Sequence, residues 1–423
     1  MTMPTNDATA ATTIKPALRS VDDALDTLLA AASALPLPAL ETVALEHAAG
    51  RVVAQNIYAP CAVPPHANSA MDGYAVRIVD VASGQALPIS QRIAAGQVPQ
   101  PLAAGTVARI FTGAPIPVGA DAVIMQERAV VTEAGVNFET VPQPQENIRA
   151  VGEDIQHGQC LFSAGQRLSA ADVGLLASVG IAQVPVRAAL RVAIFFTGDE
   201  LVTPGEPLPE GAIYNSNRYF LRPLLERLGC VVTDYGIVRD NLAQTQAMLE
   251  RAAAEHEVII TAGGVSVGEE DHVKAAVQAC GELDLWAIAV KPGKPLAFGK
   301  ITKHPASTAH QAAFIGLPGN PVSAYVTFLL FARPYLLRRM GVQNVQPTGL
   351  PLSAAFAWPK ADKRREFLRA RINQNGQVEL FPNQKSGVLT SCAWAEGLVD
   401  NAPSQTIAPG DLVRFIPLSA LVN

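Results

Sequence analysis

The sequence predicts an α/β multidomain protein, and three observations carry that reading. After residue 190, strand and helix patterns alternate four times, as a parallel sheet with crossover helices requires. Between about 58 and 150, short β-prone runs alternate with Gly and Pro, the mark of a small all-β module. From about 345 the pattern turns β-like again. With 423 residues, a prior of roughly 150 per domain allows about three domains.

The elements follow in order. Residues 1–17 are small and polar, without a basic start and apolar run, and read as a disordered tail, not a signal peptide. Val21, Ala24, Leu25, Leu28 and Leu29 recur at helical spacing through 21–34, with Ser20 and Asp23 in capping-box form. TVARIFT, DAVIMQE and VNFETV supply strands of the β module, 58–151. Ser169 and Asp172 start a short helix, and strand IAQVPV follows. The module thus looks inserted into a discontinuous mixed domain, 18–57 plus 152–187. The α/β domain spans 188–340. Strand LRVAIFF leads to TGDEL and a helix with Asn217 as cap and Gly229 as stop. Strand VVTDYGIV leads to Arg239-Asp240-Asn241, EVIITA to GGVSVGEED, and FIGL to PGNP, each before a helix. In the last domain, 345–423, Asn375-Gly376 between FLRARI and VELF marks a hairpin.

Charge and cysteines narrow the function. Against 32 basic residues stand 37 acidic ones, net −5, so a general electrostatic grip on nucleic acid is not expected. An anionic substrate needs a local cluster of cations. Cysteines 61, 160, 230, 280 and 392 lack zinc or redox spacing and fit buried thiols in a reducing cytoplasm. No apolar run reaches the roughly 18 residues of a membrane helix.

Four polar loops end parallel strands, where open α/β sheets bind ligands. Gly263, Gly264, Ser266 and Gly268 let backbone N–H groups approach an anion, with Asp271 at the helix start. This loop also reads as a tight turn with a capping aspartate, and it lacks the Lys-Ser/Thr of a Walker loop. Asp199 and Glu200 suit Mg²⁺ or proton transfer, or are a solvated turn. Asp240 alone reads as a helix cap. Pro318-Gly319-Asn320-Pro321 fixes a rigid turn, or simply starts a helix at Pro321. In Lys291-Pro292-Gly293-Lys294-Pro295, two lysines on a proline-stiffened segment suit an oxyanion, or are solvated surface. Asp72 in SAMDGYA, Thr112 in FTGAPIP and Asp154 in GEDI also read as turn residues.

Taken in order, SAMDGYA, FTGAPIP, GEDI, TGDEL, YNSN, GGVSVGEED, KPGKP and GLPGNPVSA resemble the molybdopterin molybdenumtransferases, the family that includes the E domain of gephyrin. The resemblance runs from about residue 18 to the C-terminus, loosely after about 345. It implies an elongated discontinuous domain, an inserted β module, a molybdopterin-binding α/β domain and a C-terminal β barrel. It also implies a homodimer with each site completed by the partner chain. The implied reaction takes adenylylated molybdopterin and molybdate to molybdenum cofactor and AMP, with Mg²⁺.

The residues that carry over are Asp72, Thr112, Asp154, Glu200, Asp240, Asp271, Lys291, Lys294, Pro318 and Pro321. By resemblance Asp240 and Asp271 serve the metal and adenylate end, and Lys291 and Lys294 the oxyanion. Ser323, Arg369 and Ser391 are further molybdate-pocket candidates. Relatives often carry a basic residue where this chain has Ala287, and residues 301–313 look like an extended hairpin loop. A molybdopterin adenylyltransferase and molybdoenzyme-maturation proteins are the expected partners. The competing readings are such an adenylyltransferase, usually a single domain, and a dimeric scaffold that has lost catalysis.

Overall fold

The structure is a computed structural model that describes residues 18–239, 241–264, 272–304 and 307–422. The tail 1–17 and the site candidates Asp240, Ser266, Gly268 and Asp271 lie outside the described residues. The chain divides into two units: Thr42–Ala49 with Val53–Val186, and the remainder, Met1–Glu41, Gly50–Val52 and Arg187–Asn423.

The first unit holds the expected β module. Its four-stranded sheet runs Ile89–Ile93, Val107–Ile110, Gly73–Val76, Ala122–Met125. Gly73–Val76 is antiparallel to both neighbours, while Ile89–Ile93 joins in parallel. Tyr74 and Val76 bury on one face with Val107, Ile124 and Val136, and Ala75 on the other with Ile93 and Ile110, the two-residue alternation of a sheet covered on both sides. Helix Ala170–Ser178 begins with the full reciprocal capping box of Ser169 and Asp172.

In the second unit a six-stranded sheet has the order Val231–Val238, Arg191–Thr197, Val258–Ala262, Ser307–Leu317, Pro295–His304, Gly281–Ala287. The first four are parallel. These four are the strands the sequence placed in a parallel sheet; Pro295–His304 adds antiparallel to Ser307–Leu317, and Gly281–Ala287 antiparallel to Pro295–His304. Successive strands joined by a hairpin reverse direction, whereas parallel neighbours need a crossover. Residues 301–304 and 307–313 accordingly continue the ladder of that hairpin, pairing Ile301 with Ala312, so the extension read from the sequence is strand up to residues 305 and 306, which lie outside the described residues.

Alternating residues of Arg191–Thr197 serve two cores. Val192, Ile194 and Phe196 pack with helices Ser216–Arg227, Pro321–Thr327 and Arg333–Arg339. Ala193 and Phe195 pack with Leu242–Glu255 and His272–Cys280. Helix Val21–Ser33 also joins the first of these cores through Ala24, Leu25 and Leu28, so residues before Glu41 sit with the α/β residues although the sequence reading grouped 18–57 with 152–187. Ser20 Oγ accepts from the Asp23 N–H at 3.0 Å.

The caps differ from expectation in two places. Asn215, not Asn217, caps Ser216–Arg227, its side chain accepting from the Arg218 N–H. Asn241, not Asp240, caps Leu242–Glu255.

The C-terminal sheet runs Val290–Lys291, Arg365–Ile372, Gly397–Asn401, Leu412–Pro417, Leu350–Ser353, with Val378–Leu380 on Arg365–Ile372. Asn375-Gly376 does turn the predicted hairpin. Ala354, next after Leu350–Ser353, bridges Val378, so the sheet curls around Leu368, Val399, Val413 and Phe415.

Candidate functional site

The four parallel strands end on one edge of the sheet, and three of the loops beyond them converge. Gly263 and Gly264 have φ of 104° and 65°, the left-handed region where glycine is tolerated at no steric cost. A Cβ on Gly263 would stand 3.0 Å from the Thr197 carbonyl oxygen, and one on Gly264 2.6 Å from Thr197 Oγ1. Gly319 approaches Gly263 closely enough that its Cβ would lie 3.7 Å from the Gly263 Cα. Asn217 Nδ2 donates to the Gly319 carbonyl at 2.8 Å. Gly263 and Gly264 are therefore required by φ, Gly263 also by the approach of the Thr197 backbone and Gly264 by the Thr197 and Val273 side chains.

These loops floor a cleft of about 1260 Å³. Glu200, Gly263, Gly264, Lys291, Lys294, Pro318, Gly319, Asn320, Pro321, Ser323 and Arg369, all named from the sequence, line it. Sequence reasoning missed Trp358, Arg364 and the loop 382–386, which line it too. It placed Asn217 on the helix as a cap, whereas the residue faces the cleft. Two buried oxygens of the lining, Thr197 Oγ1 and Asn217 Oδ1, have no hydrogen-bond partner among the described residues, and such groups normally find one.

The C-terminal wall carries the cations. Arg369 is 1% exposed. Its Nε donates to Ser391 Oγ at 3.2 Å and its Nη1 to the Phe367 carbonyl at 3.0 Å, while Nη2 is buried without a partner among the described residues. Among these residues no carboxylate pairs with it, and burial lowers its pKa to about 10. Ser391 is buried behind Arg369, donating to the Val388 carbonyl, and supports the guanidinium instead of lining the cleft. Ser323 is also buried, on the first turn of Pro321–Thr327, which starts at Pro321 without a side-chain cap.

The two lysines of KPGKP are not equivalent. Lys291 Nζ donates to the fully buried Glu366 carboxylate at 2.8 Å and lies 3.4 Å from Asp362. Glu366 also accepts from Trp358 Nε1 at 2.7 Å. Arg364 grips Asp362 bidentately and, with that hydrogen bond as the largest cause, holds the Asp362 carboxyl well below the usual carboxylate range. Lys294 is exposed and has no carboxylate partner among the described residues. The sequence reading offered both charges to an oxyanion; only Lys294 is free of an acid.

Asp72, Thr112 and Asp154 belong to the other unit. There the sequence candidates Asp72 and Thr112 meet: Asp72 Oδ1 accepts from the Thr112 N–H and hydroxyl, each at 2.8 Å. The backbone bond first and the hydroxyl second lower the Asp72 pKa. Asp154 is exposed and bonds through its backbone N–H to Val63. Among the described residues no cluster of three His, Cys, Asp or Glu stands ready for a metal, and no helix is long and apolar enough to cross a membrane.

The family model for the MoeA N-terminal region (domain I and II) matches residues 19–180, the probable molybdopterin binding domain residues 193–338, and the MoeA C-terminal region (domain IV) residues 351–418. The molybdopterin molybdenumtransferase of Haemophilus influenzae is 41% identical over 82% of this chain and 85% of its own length. The chain belongs to the molybdopterin molybdenumtransferase family. The Synechococcus elongatus member is 36% identical over 88% of this chain and 92% of its own. The solved molybdopterin biosynthesis moeA protein of Pyrococcus horikoshii OT3 is 27% identical with a TM-score of 0.79, covering 95% of this chain and 100% of that one. The cleft lies between family segments: its floor falls in the probable molybdopterin binding domain and its cationic wall in the C-terminal region.

Proposed function

We propose that the chain inserts molybdate into adenylylated molybdopterin and releases AMP, as a transferase of molybdenum cofactor biosynthesis. The observation that carries this is Arg369: a buried guanidinium on the wall of an open cleft, with one nitrogen unpaired and no neutralising carboxylate among the described residues. An isolated buried charge is costly, and a dianion such as molybdate is its natural complement. Lys294 and the hydroxyl of Ser323 offer further donors on the same lining. The glycine and proline loops let backbone groups approach the phosphates and the pterin, and Thr197 Oγ1 and Asn217 Oδ1 provide unsatisfied acceptors. Sulfur for the metal comes from the dithiolene itself, consistent with five scattered cysteines.

Mg²⁺ belongs to the proposal. Asp240 and Asp271, assigned by resemblance, would hold it; Glu200 adds an oxygen donor of the right chemistry on the cleft lining. The ion would neutralise charge on the phosphoanhydride. The protein acts as a cytoplasmic homodimer, with Asp72 and its partner Thr112 serving a site shared between chains. A molybdopterin adenylyltransferase supplies its substrate, and molybdoenzyme-maturation proteins receive its product.

The adenylyltransferase alternative shares the α/β domain but leaves the C-terminal wall with Arg369 without a use. One assay separates them. Pure protein with adenylylated molybdopterin, Mg²⁺ and molybdate should release AMP in proportion to molybdate. Formation of adenylylated pterin from ATP, with no molybdate-dependent AMP, would reverse the assignment.

A further inference from the structure

The cleft's C-terminal wall contains a second unpaired cation. Lys385 lines the cleft, is exposed, and has no carboxylate partner among the described residues. The loop that carries it is tied down on both sides. Gln384 Oε1 accepts from the Arg369 N–H, and Gln384 Nε2 donates to the carbonyls of Arg369 and Phe381, each at 2.9 Å. The Ser386 carbonyl accepts from the Val322 N–H at 3.1 Å, on the helix after the Pro318–Pro321 turn. Asn383 Oδ1 accepts from Lys385's own N–H at 3.1 Å. The loop is thus stitched to the strand of Arg369 and to the helix of Ser323, which holds the base of Lys385 in a fixed place beside the cleft.

Arg369 and Lys385 differ in the group they fit. Arg369 is enclosed and its open nitrogen meets a small, desolvated ion. Lys385 reaches from an exposed loop on a long stem, where a hydrated point charge meets a larger group that extends toward solvent. Resting on the proposed transferase reading, we infer that Lys385 binds a phosphoryl group of the organic substrate, leaving molybdate to Arg369 and Lys294. Lys291 and Arg364 are unsuited to that task because Glu366 and Asp362 already occupy them.

The test compares wild type with Lys385→Ala, Lys385→Glu and Lys385→Arg. One charge-assisted contact at an exposed site predicts that Lys385→Ala raises half-saturation for adenylylated molybdopterin about fivefold to tenfold. Lys385→Glu should raise it further and Lys385→Arg restore it, with half-saturation for molybdate unchanged throughout. Calorimetric binding of inorganic pyrophosphate should weaken to a similar degree in Lys385→Ala; this arm does not depend on turnover. Unaltered substrate half-saturation and pyrophosphate binding in Lys385→Ala, or a shift confined to molybdate, overturns the inference. If wild type releases no AMP but pyrophosphate binding depends on Lys385, the transferase reading fails while the phosphoryl site stands.

Discussion

Replacing Arg369 with Met separates the stability of the wall from its chemistry. Burial lowers the guanidinium pKa well below the ordinary arginine value, to about 10. At about 1.4 kcal/mol per pH unit, holding the charge in the folded chain costs about 3 kcal/mol at neutral pH. Below about pH 10 folded and unfolded chains both carry the proton and the full cost is present. It fades only as the pH climbs from there toward the ordinary arginine value, where the folded chain has released the proton first. Met removes this cost, keeps comparable apolar volume, and forfeits the bonds to Ser391 and Phe367, worth about 1 kcal/mol each. The two effects leave the variant within about 1 kcal/mol of wild type and its Tm within about 2 °C. Molybdate binding loses a charge-assisted contact of about 1.5–3 kcal/mol, roughly tenfold to a hundredfold in half-saturation. Thermal unfolding with and without molybdate, alongside a molybdate titration of AMP release, reads both quantities. A Tm collapse would make Arg369 a structural residue. Unchanged half-saturation would place the oxyanion elsewhere.

Further predictions concern the other candidates. Lys294→Ala should weaken molybdate about tenfold with Tm unchanged. Lys291→Met should instead lower Tm, because it strands the buried Glu366 carboxylate at a cost of about 1–3 kcal/mol; equal Tm values for the two variants would show that Glu366 does not need its partner. Thr112→Val removes the hydroxyl bond to Asp72 and should move the Asp72 carboxyl titration upward, toward the ordinary value, as followed by carbon-detected NMR; an unmoved titration would refute that contact. Gly264→Ala should impair substrate binding, since its Cβ meets Thr197 and Val273 at 2.6 Å in a left-handed backbone; a fully active variant would show that the floor is not so tightly packed. If the site is shared in a homodimer, mixing inactive Asp72→Ala and Asp271→Ala chains should restore part of the AMP release, and no recovery despite subunit exchange would argue for a site within one chain.

Periodicity made much of the fold legible. LRVAIFF and HVKAAVQAC are strand Arg191–Thr197 and helix His272–Cys280 because apolar spacing and burial share one cause. Direction was not legible everywhere: an apolar run looks alike in parallel and antiparallel strands, so the pattern carried no direction for Gly281–Ala287 and Pro295–His304, which pair antiparallel. YNSN offers two asparagines, and only the point where the backbone leaves the helix makes Asn215 the cap. The cleft floor was readable because each loop follows its own strand. The wall was not, because Lys291 meets Glu366 75 residues away in sequence. In FLRARI, Arg369 and Arg371 share a strand face, yet only Arg369 is buried. Lys385 sits in PNQKSG, whose turn-forming residues were the one available signal, and they say nothing about which cleft the turn borders.

The proposed oxyanion site is the wall around Arg369. Crystals soaked in molybdate, with diffraction collected at the molybdenum absorption edge, test it most directly. An anomalous peak is expected within hydrogen-bond distance of Arg369 Nη2, the nitrogen that lacks a partner among the described residues, and no such peak in Arg369→Met crystals. A peak beside Lys291 and Glu366, or one that survives in Arg369→Met, would contradict it.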